Sequence, residues 1–266
     1  MMDMARQRKI GVALGGGVVR SFANIGVLNA LLRERVSIDV LTGSSAASII
    51  GAIYASGVSI EETNRIALHT RREDVVSLSW KTPWRGLFSN ERLSGFLARH
   101  CRCKFFEEFP RAFGVVAADV MSGEERLFVS GEIIPAVRAT CSIPGLFPPV
   151  RIGTRLYMDG CVVNQIPAEA ARRMGADIVI GCDVSRGARA SSRKAPRTML
   201  AMWQHVASLY SQRTAEKGRR ASDLVIAVKV DDIRLADFRQ AEELIRRGEA
   251  AAELALPRLR YLLSAP

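Results

Sequence analysis

Three stretches of this 266-residue sequence carry residue types that could do chemistry together. The first is Gly15-Gly16-Gly17-Val18-Val19-Arg20, which follows a short apolar run and precedes a helix-like pattern. Backbone N–H groups at such a strand-to-helix turn converge on negative charge. That charge is either a dinucleotide pyrophosphate or the oxyanion formed when an ester carbonyl is attacked. A dinucleotide fits poorly. The pattern G-x-G-x-x-G needs glycine where Arg20 stands, and the second strand has no acidic residue at its end. The Gly-Lys-Ser/Thr of a phosphate loop is also missing. The second stretch, Gly43-Ser44-Ser45-Ala46-Ala47, joins another strand to another helix. A tight turn in that setting lifts a serine hydroxyl above a sheet, and the helix start favours negative charge beside it. Ala47 stands where G-x-S-x-G has its last glycine. Ser44 or Ser48 acting as a plain helix cap is the simpler alternative.

A serine nucleophile needs a base. The sequence has three histidines: His69 and His100 near helix ends, and His205 inside a late helix beside Trp203. None follows a strand end, where a triad histidine belongs, so a Ser-His-Asp triad is disfavoured. A partly desolvated carboxylate gains basicity and can do the same work. The third stretch, Tyr157-Met158-Asp159-Gly160, offers Asp159 at the end of a hairpin among apolar neighbours. Asp119 and Asp183, also in or near strand ends, are alternatives, and an ordinary Asp-Gly turn is the plainer reading of position 159.

The elements that must position these residues alternate along the chain. Strands are expected at Lys9–Leu14, Ile38–Thr42, Phe113–Val120, Arg126–Val129, Asp177–Val184 and Leu224–Val230, with a hairpin at Val150–Met158. Asp177–Val184 is apolar apart from its two aspartates, as a strand covered on both faces would be. Helices are expected at Arg20–Arg33, Ser45–Ala55, from Ser59 (with Glu62 as a capping box), from Ser89 to His100, at Ile133–Thr140, from Pro167 to before Gly175, up to about Gly218, and over about 235–263. Residues 71–88 read as irregular. Their Trp80, Trp84, Leu87 and Phe88 would form either a mobile rim over a site or a satellite core. The pattern is one α/β domain over 1–266, with its core at about 8–232, around a mostly parallel sheet.

Bulk properties narrow the function. Apolar residues make up 48% of the chain, enough for a substantial core. No uninterrupted apolar stretch approaches the roughly 18–20 residues of a membrane span. The N-terminal apolar run is too short for a signal-peptide core, so a cytoplasmic location is expected, with peripheral contact at the inner membrane surface as a variant. The five cysteines, at 101, 103, 141, 161 and 182, have neither disulfide-framework nor zinc spacing and read as reduced thiols. The net charge is +11, concentrated in Arg186–Arg197 and Arg213–Arg220. Solvated surface is the first reading of these tracts and attraction to anionic membrane the second. No nucleic-acid-binding signature is present. Beside the first tract, Met199, Leu200, Met202, Trp203, Val206, Leu209 and Tyr210 form an apolar stripe. It is read as the face of a helix packed on the sheet, with an interfacial helix as the alternative.

Five blocks in order resemble those of the patatin-like phospholipase family, in particular its short stand-alone bacterial members: Leu14–Leu28 (LGGGVVRSFANIGVL), Thr42–Ser48 (TGSSAAS), Phe113–Gly123 (FGVVAADVMSG), Arg138–Pro149 (RATCSIPGLFPP) and Tyr157–Pro167 (YMDGCVVNQIP). The resemblance implies a three-layer α/β fold with helices on both faces of a mostly parallel sheet. It also implies hydrolysis of acyl esters or phospholipids without metal or cofactor. It makes Ser45 the nucleophile and Asp159 the base of a dyad, the N–H groups of Gly16, Gly17 and Val18 an oxyanion hole, and Arg20, Gly43 and Gly160 positioning residues. The chain departs from the family pattern at Val18, Ser21 and Ala47, where glycine or another small residue is usual, and at Asn24, a position often held by histidine. A β-branched residue resists the positive φ that glycine allows. Misaiming one oxyanion donor costs about 2.7–4 kcal/mol. The alternative function is therefore a lipid- or acyl-binding protein of the same fold with weak turnover or none.

Overall fold

The computed structural model describes residues 8–78, 87–185 and 197–264. Short apolar runs form strands and the longer periodic segments form helices. In chain order they are β1 (Ile10–Leu14), α1 (Ala23–Arg33), β2 (Val40–Ser44), α2 (Ala46–Ala55), α3 (Ile60–His69), the single turn α4 (Arg72–Val75), β3 (Ser77–Leu78), β4 (Phe88–Ser89), α5 (Glu91–His100), β5 (Ala112–Asp119), β6 (Glu125–Phe128), α6 (Ile133–Thr140), β7 (Val150–Ile152), β8 (Arg155–Met158), α7 (Ala168–Arg173), β9 (Ile178–Asp183), α8 (Met199–Ala221), β10 (Leu224–Ala227) and α9 (Ala241–Ser264).

The main sheet runs β10-β9-β1-β2-β5-β8-β7, with β6 also paired to β5. From β10 to β5 every neighbour is parallel; β6, β7 and β8 add antiparallel pairs beyond β5. Successive strand residues face opposite ways. Val12 and Leu14 of β1, Leu41 of β2, and Ile180 and Cys182 of β9 enter one core, shared with residues of α1, α2, α5 and α9. Ala13, Val40 and Val179 enter a second, smaller core with Ala168 and Ala171 of α7 and Ala215 of α8. The sheet is therefore the middle of three layers, as the alternating pattern requires. β1, β2 and β9 are wholly buried, including the polar side chains they contain, Thr42 and Ser44 of β2 and Asp183 of β9.

Several local expectations change. The expected Arg20–Arg33 helix is a 3₁₀ turn at Val18–Phe22 followed by α1. Ser59 does cap α3 through the Glu62 N–H, but the Glu62 side chain pairs with Arg65 instead of closing the box. Asn90, not Ser89, takes the N-cap position of α5, although the Ser89 hydroxyl accepts the Glu91 N–H. The C-terminal helix starts at Ala241, later than the expected 235, because Asp237 first caps a 3₁₀ turn at Phe238–Gln240. The 71–88 segment contains α4 and the β3–β4 pair; Trp80 and Trp84 lie outside the described residues.

The stripe on α8 is the largest correction. Met202, Val206, Leu209 and Tyr210 do not pack on the sheet but are 49–54% exposed, while the side chains of Leu200 and Trp203 lie outside the described ones. Among the described residues no helix is long and apolar enough to cross a membrane.

Candidate active site

Ser45 sits where β2 ends and α2 begins, 5% exposed, with φ 52° and ψ −138°. A left-handed φ costs a non-glycine residue about 1–3 kcal/mol and persists only where its surroundings hold it. Here they do. The Ser45 N–H donates to Thr140 Oγ1 at 2.8 Å, and Thr140 donates to the Val116 carbonyl at 2.5 Å. The Ser48 hydroxyl donates to the Ser45 carbonyl at 2.6 Å. Gly43 is required by close approach, since a Cβ there would stand 2.7 Å from Ser48 Cα. Ala47 is fully buried in the main core, so the extra methyl at the elbow is accommodated by packing.

Asp159 follows β8, which hangs on the end of β5, and it is 3% exposed. The Ser45 hydroxyl donates to its Oδ2 at 2.7 Å, across 114 residues of sequence. Oδ1 accepts the Cys161 N–H at 2.8 Å, and the Asp159 N–H donates to the Ser142 carbonyl at 3.0 Å. Burial raises the Asp159 pKa to about 6, opposed by the hydrogen bonds from Ser45 and Cys161. Gly160 lets this corner close, because a Cβ there would lie 2.1 Å from the Val116 carbonyl oxygen and 2.8 Å from Thr140 Oγ1. Cys141 and Cys161 adjoin the carboxylate. Burial, and secondarily the Asp159 charge, push both thiols up, so they stand as neutral groups.

The other candidate bases are engaged elsewhere. Asp119 accepts the Met121 and Ser122 N–H groups and pairs with Arg155. Asp183, fully buried, pairs with Arg219 at 2.8 Å and accepts from Ser185. His69 bonds the Arg65 carbonyl and His100 packs against Phe96, so neither meets Ser45.

The glycine turn lies directly against the serine: a Cβ on Gly16 would be 3.0 Å from Ser45 Cβ. Its N–H groups are not equivalent, which corrects the expectation for Gly16. The Gly16 N–H is spent on the Gln165 carbonyl at 3.1 Å, because Gln165 follows the Asp159 corner back beneath the turn. The Gln165 side chain also donates to the Gly16 carbonyl. Gly17 and Val18 are the N-cap and first residue of the 3₁₀ turn, and among the described residues nothing accepts from either N–H. Val18 does adopt the left-handed φ expected to be difficult for it, at 53°. Asn24 braces the turn by donating to the Gly15 carbonyl at 3.0 Å and the Ser21 carbonyl at 2.9 Å. Arg20 donates to the Ile233 carbonyl at 2.9 Å, tying the turn to the segment before α9, and burial lowers its pKa.

An apolar cleft starts at Val18, Ser45 and Ala46 and follows α2 along Ile49, Ile50 and Ile53. Thr63 and Ala67 of α3 and Leu93 and Phe96 of α5 wall it, and all four are 2–4% exposed. Its lining holds few polar side chains.

Sequence reasoning missed Thr140 and Gln165. Both fall inside blocks that carry the family resemblance, but nothing in a threonine at a helix end or a glutamine before Ile-Pro signals its partner. The partner is remote and exists only once the sheet has assembled.

The described pattern of the patatin-like phospholipase family matches residues 12–172. The human patatin-like phospholipase domain-containing protein 6 is 33% identical over 184 residues, covering 66% of this chain and 13% of that protein. The mouse domain-containing protein 7 is 31% identical over 183 residues, with 66% and 13% coverage. An NTE family protein of Mycobacterium bovis is 32% identical over 165 residues, covering 60% of this chain and 28% of its own length. The chain thus spans less than a third of the length of each of these relatives. The crystal structure of VipD from Legionella pneumophila superposes with a TM-score of 0.54 at 14% identity, covering 96% of this chain and 67% of that one. It shares the fold. With the family pattern spanning most of the three-layer core and the Ser45–Asp159 corner, the chain belongs to the patatin-like phospholipase family.

Proposed function

We propose that this chain is a serine acyl-ester hydrolase acting on a lipid ester, with Ser45 as nucleophile and Asp159 as base. The observation that carries this reading is the 2.7 Å hydrogen bond from the strained Ser45 hydroxyl to a buried carboxylate. The substrate carbonyl carbon sits over Ser45 Oγ with its acyl chain in the cleft along α2. Asp159 takes the hydroxyl proton as Oγ bonds to carbon, and the carbonyl π electrons move onto oxygen. The N–H groups of Gly17 and Val18 face that oxyanion, at the positive end of the 3₁₀ turn. The tetrahedral species collapses, the alcohol leaves with the proton held by Asp159, and an acyl-serine stays behind. Water then attacks the acyl carbon with Asp159 again as base, and the fatty acid departs.

A carboxyl with a pKa of about 6 suits this role: it is ionised at neutral pH yet more basic than a solvated aspartate. Gly16 and Gly43 set backbone approach, Gly160 admits the Asp159 corner, and Arg20 holds the turn. Family membership supports lipid as the substrate class. The test is turnover of chromogenic acyl esters and covalent labelling by a fluorophosphonate. Both are expected for the wild type and lost in Ser45→Ala. Equal rates in the two proteins sink the assignment, and an unlabelled wild type that still binds acyl chains leaves a non-catalytic lipid binder.

A further inference from the structure

Helix α8 is built the opposite way round in its two halves. From Ser211 onward three of its polar side chains, Ser211, Thr214 and Arg219, point inward and hold the site. Ser211 donates to Gln165 Oε1 at 2.8 Å, Thr214 donates to the Cys161 carbonyl at 2.8 Å, and Arg219 pairs with the fully buried Asp183. Ala215 between them is completely buried. Over the preceding three turns it is apolar side chains that face solvent: Met199, Met202, Val206, Leu209 and Tyr210, each about half exposed or more. Met199, Met202, Val206 and Leu209 follow at intervals of three, four and three residues, and Tyr210 lies four after Val206, so all five share one stripe, roughly 16 Å long at the helical rise. A packed helix would turn that face to the core; here these five side chains face solvent.

The charge around the stripe identifies what covers it. Between Asp183 and Glu216 the sequence contains no acidic residue and six Lys or Arg. Arg197 and Arg213, both exposed, bracket the stripe. Apolar side chains between Arg197 and Arg213, in a stretch of sequence that has no acidic residue, match a surface of acyl chains beneath anionic head groups. A second copy of the same face would bring cation against cation.

We propose that the outward face of α8, from Met199 to Tyr210 with Arg197 and Arg213, docks onto an anionic lipid bilayer. The helix that would lie on the lipid is bonded to Gln165 and Cys161, the residues that hold Gly16 and Asp159, so docking fixes the Ser45 site beside the membrane. The docking stands apart from catalysis and is tested apart from it.

The test uses the full chain carrying Ser45→Ala, so that vesicles are not altered during measurement. Flotation is compared with vesicles of phosphatidylcholine alone and of equal parts phosphatidylcholine and phosphatidylglycerol. Binding is expected only to the mixed vesicles and weakens as salt rises. Val206→Glu with Leu209→Glu should weaken it at least tenfold. Arg197→Ala with Arg213→Ala should weaken it about 25-fold, about fivefold per cation. All four side chains are exposed, so thermal unfolding should be unchanged, which separates lost docking from lost folding. Equal binding by wild type and both variants, or binding to neither vesicle, overturns the proposal. So does a dimer in size-exclusion chromatography that only the glutamate variant breaks, which would give the face to a second copy. Fluorophosphonate labelling of the chain with Ser45 intact reports the hydrolase reading independently of either result.

Discussion

Replacing Asp159 by asparagine should make this protein more stable while stopping turnover, with the stability gain present only above a definable pH. In the unfolded chain the Asp159 carboxyl ionises near an ordinary 3.8, whereas in the fold burial raises it to about 6. Between those values the native state binds more protons than the unfolded state, so native stability falls as pH rises through the interval and is level beyond it. The difference corresponds to about 3 kcal/mol withheld from the fold at neutral pH, with the ionised carboxylate as its source. Asparagine has nearly the same shape and does not ionise; its Oδ1 can still accept the Cys161 N–H, and its Nδ2 can donate to the Ser45 hydroxyl oxygen in place of the bond that Oδ2 accepted. The variant should therefore match wild type near pH 4 and exceed it by up to about 3 kcal/mol above pH 6, about 6–12 °C in Tm for a chain of this size. Urea denaturation of both proteins at half-unit steps from pH 4 to 8 measures this directly, and their other carboxylates cancel in the comparison. Wild-type kcat/KM should fall about tenfold per pH unit below about 6 and be level above it, as expected for a base that must be ionised. Stability curves that run parallel across the whole range would refute the buried-base reasoning, as would an asparagine variant that retains turnover.

Three further outcomes follow from the same geometry. Val18→Gly should stabilise the protein by up to about 1 kcal/mol, since relief of a left-handed β-branched residue (about 1–2 kcal/mol) exceeds glycine's added chain entropy. Its kcat/KM should stay within a few fold, and a hundredfold rise would show that valine misaims the donor. Thr140→Val strands the buried Ser45 N–H, so chemical denaturation should register a loss of about 1–3 kcal/mol together with a fall in kcat; no change in either would remove Thr140 from the positioning of Ser45. The cleft follows α2 from Ala46 to Ile53, about 10 Å at the helical rise, or about eight carbons at roughly 1.3 Å per methylene. Across a series of acyl esters kcat/KM should climb about fourfold per methylene to about that length and then level or fall. Ala67→Phe should shorten the optimum, and rates that keep climbing to a sixteen-carbon ester would contradict this length.

The sequence by itself determined the local geometry. A tight junction between a short apolar run and a helix, with Gly43 against Ser48, makes the elbow at Ser45, and Asp159-Gly160 is a turn pair. Those demands are met within a few residues, so they are written in a few residues. The alternation of strand and helix likewise specified a parallel sheet covered on both faces. The tertiary structure decided which partners meet. Asp119, Asp159 and Asp183 all stand at or near strand ends, and only the pairing of β8 to β5 brings one of them, Asp159, to the serine. It also decided that the Gly16 N–H is consumed by Gln165, and that the stripe on α8 faces outward because Ser211, Thr214 and Arg219 hold its other side. An apolar stripe at helical spacing records that a face exists. Which way that face points is set by contacts between residues far apart in the chain, and those contacts exist only in the folded molecule.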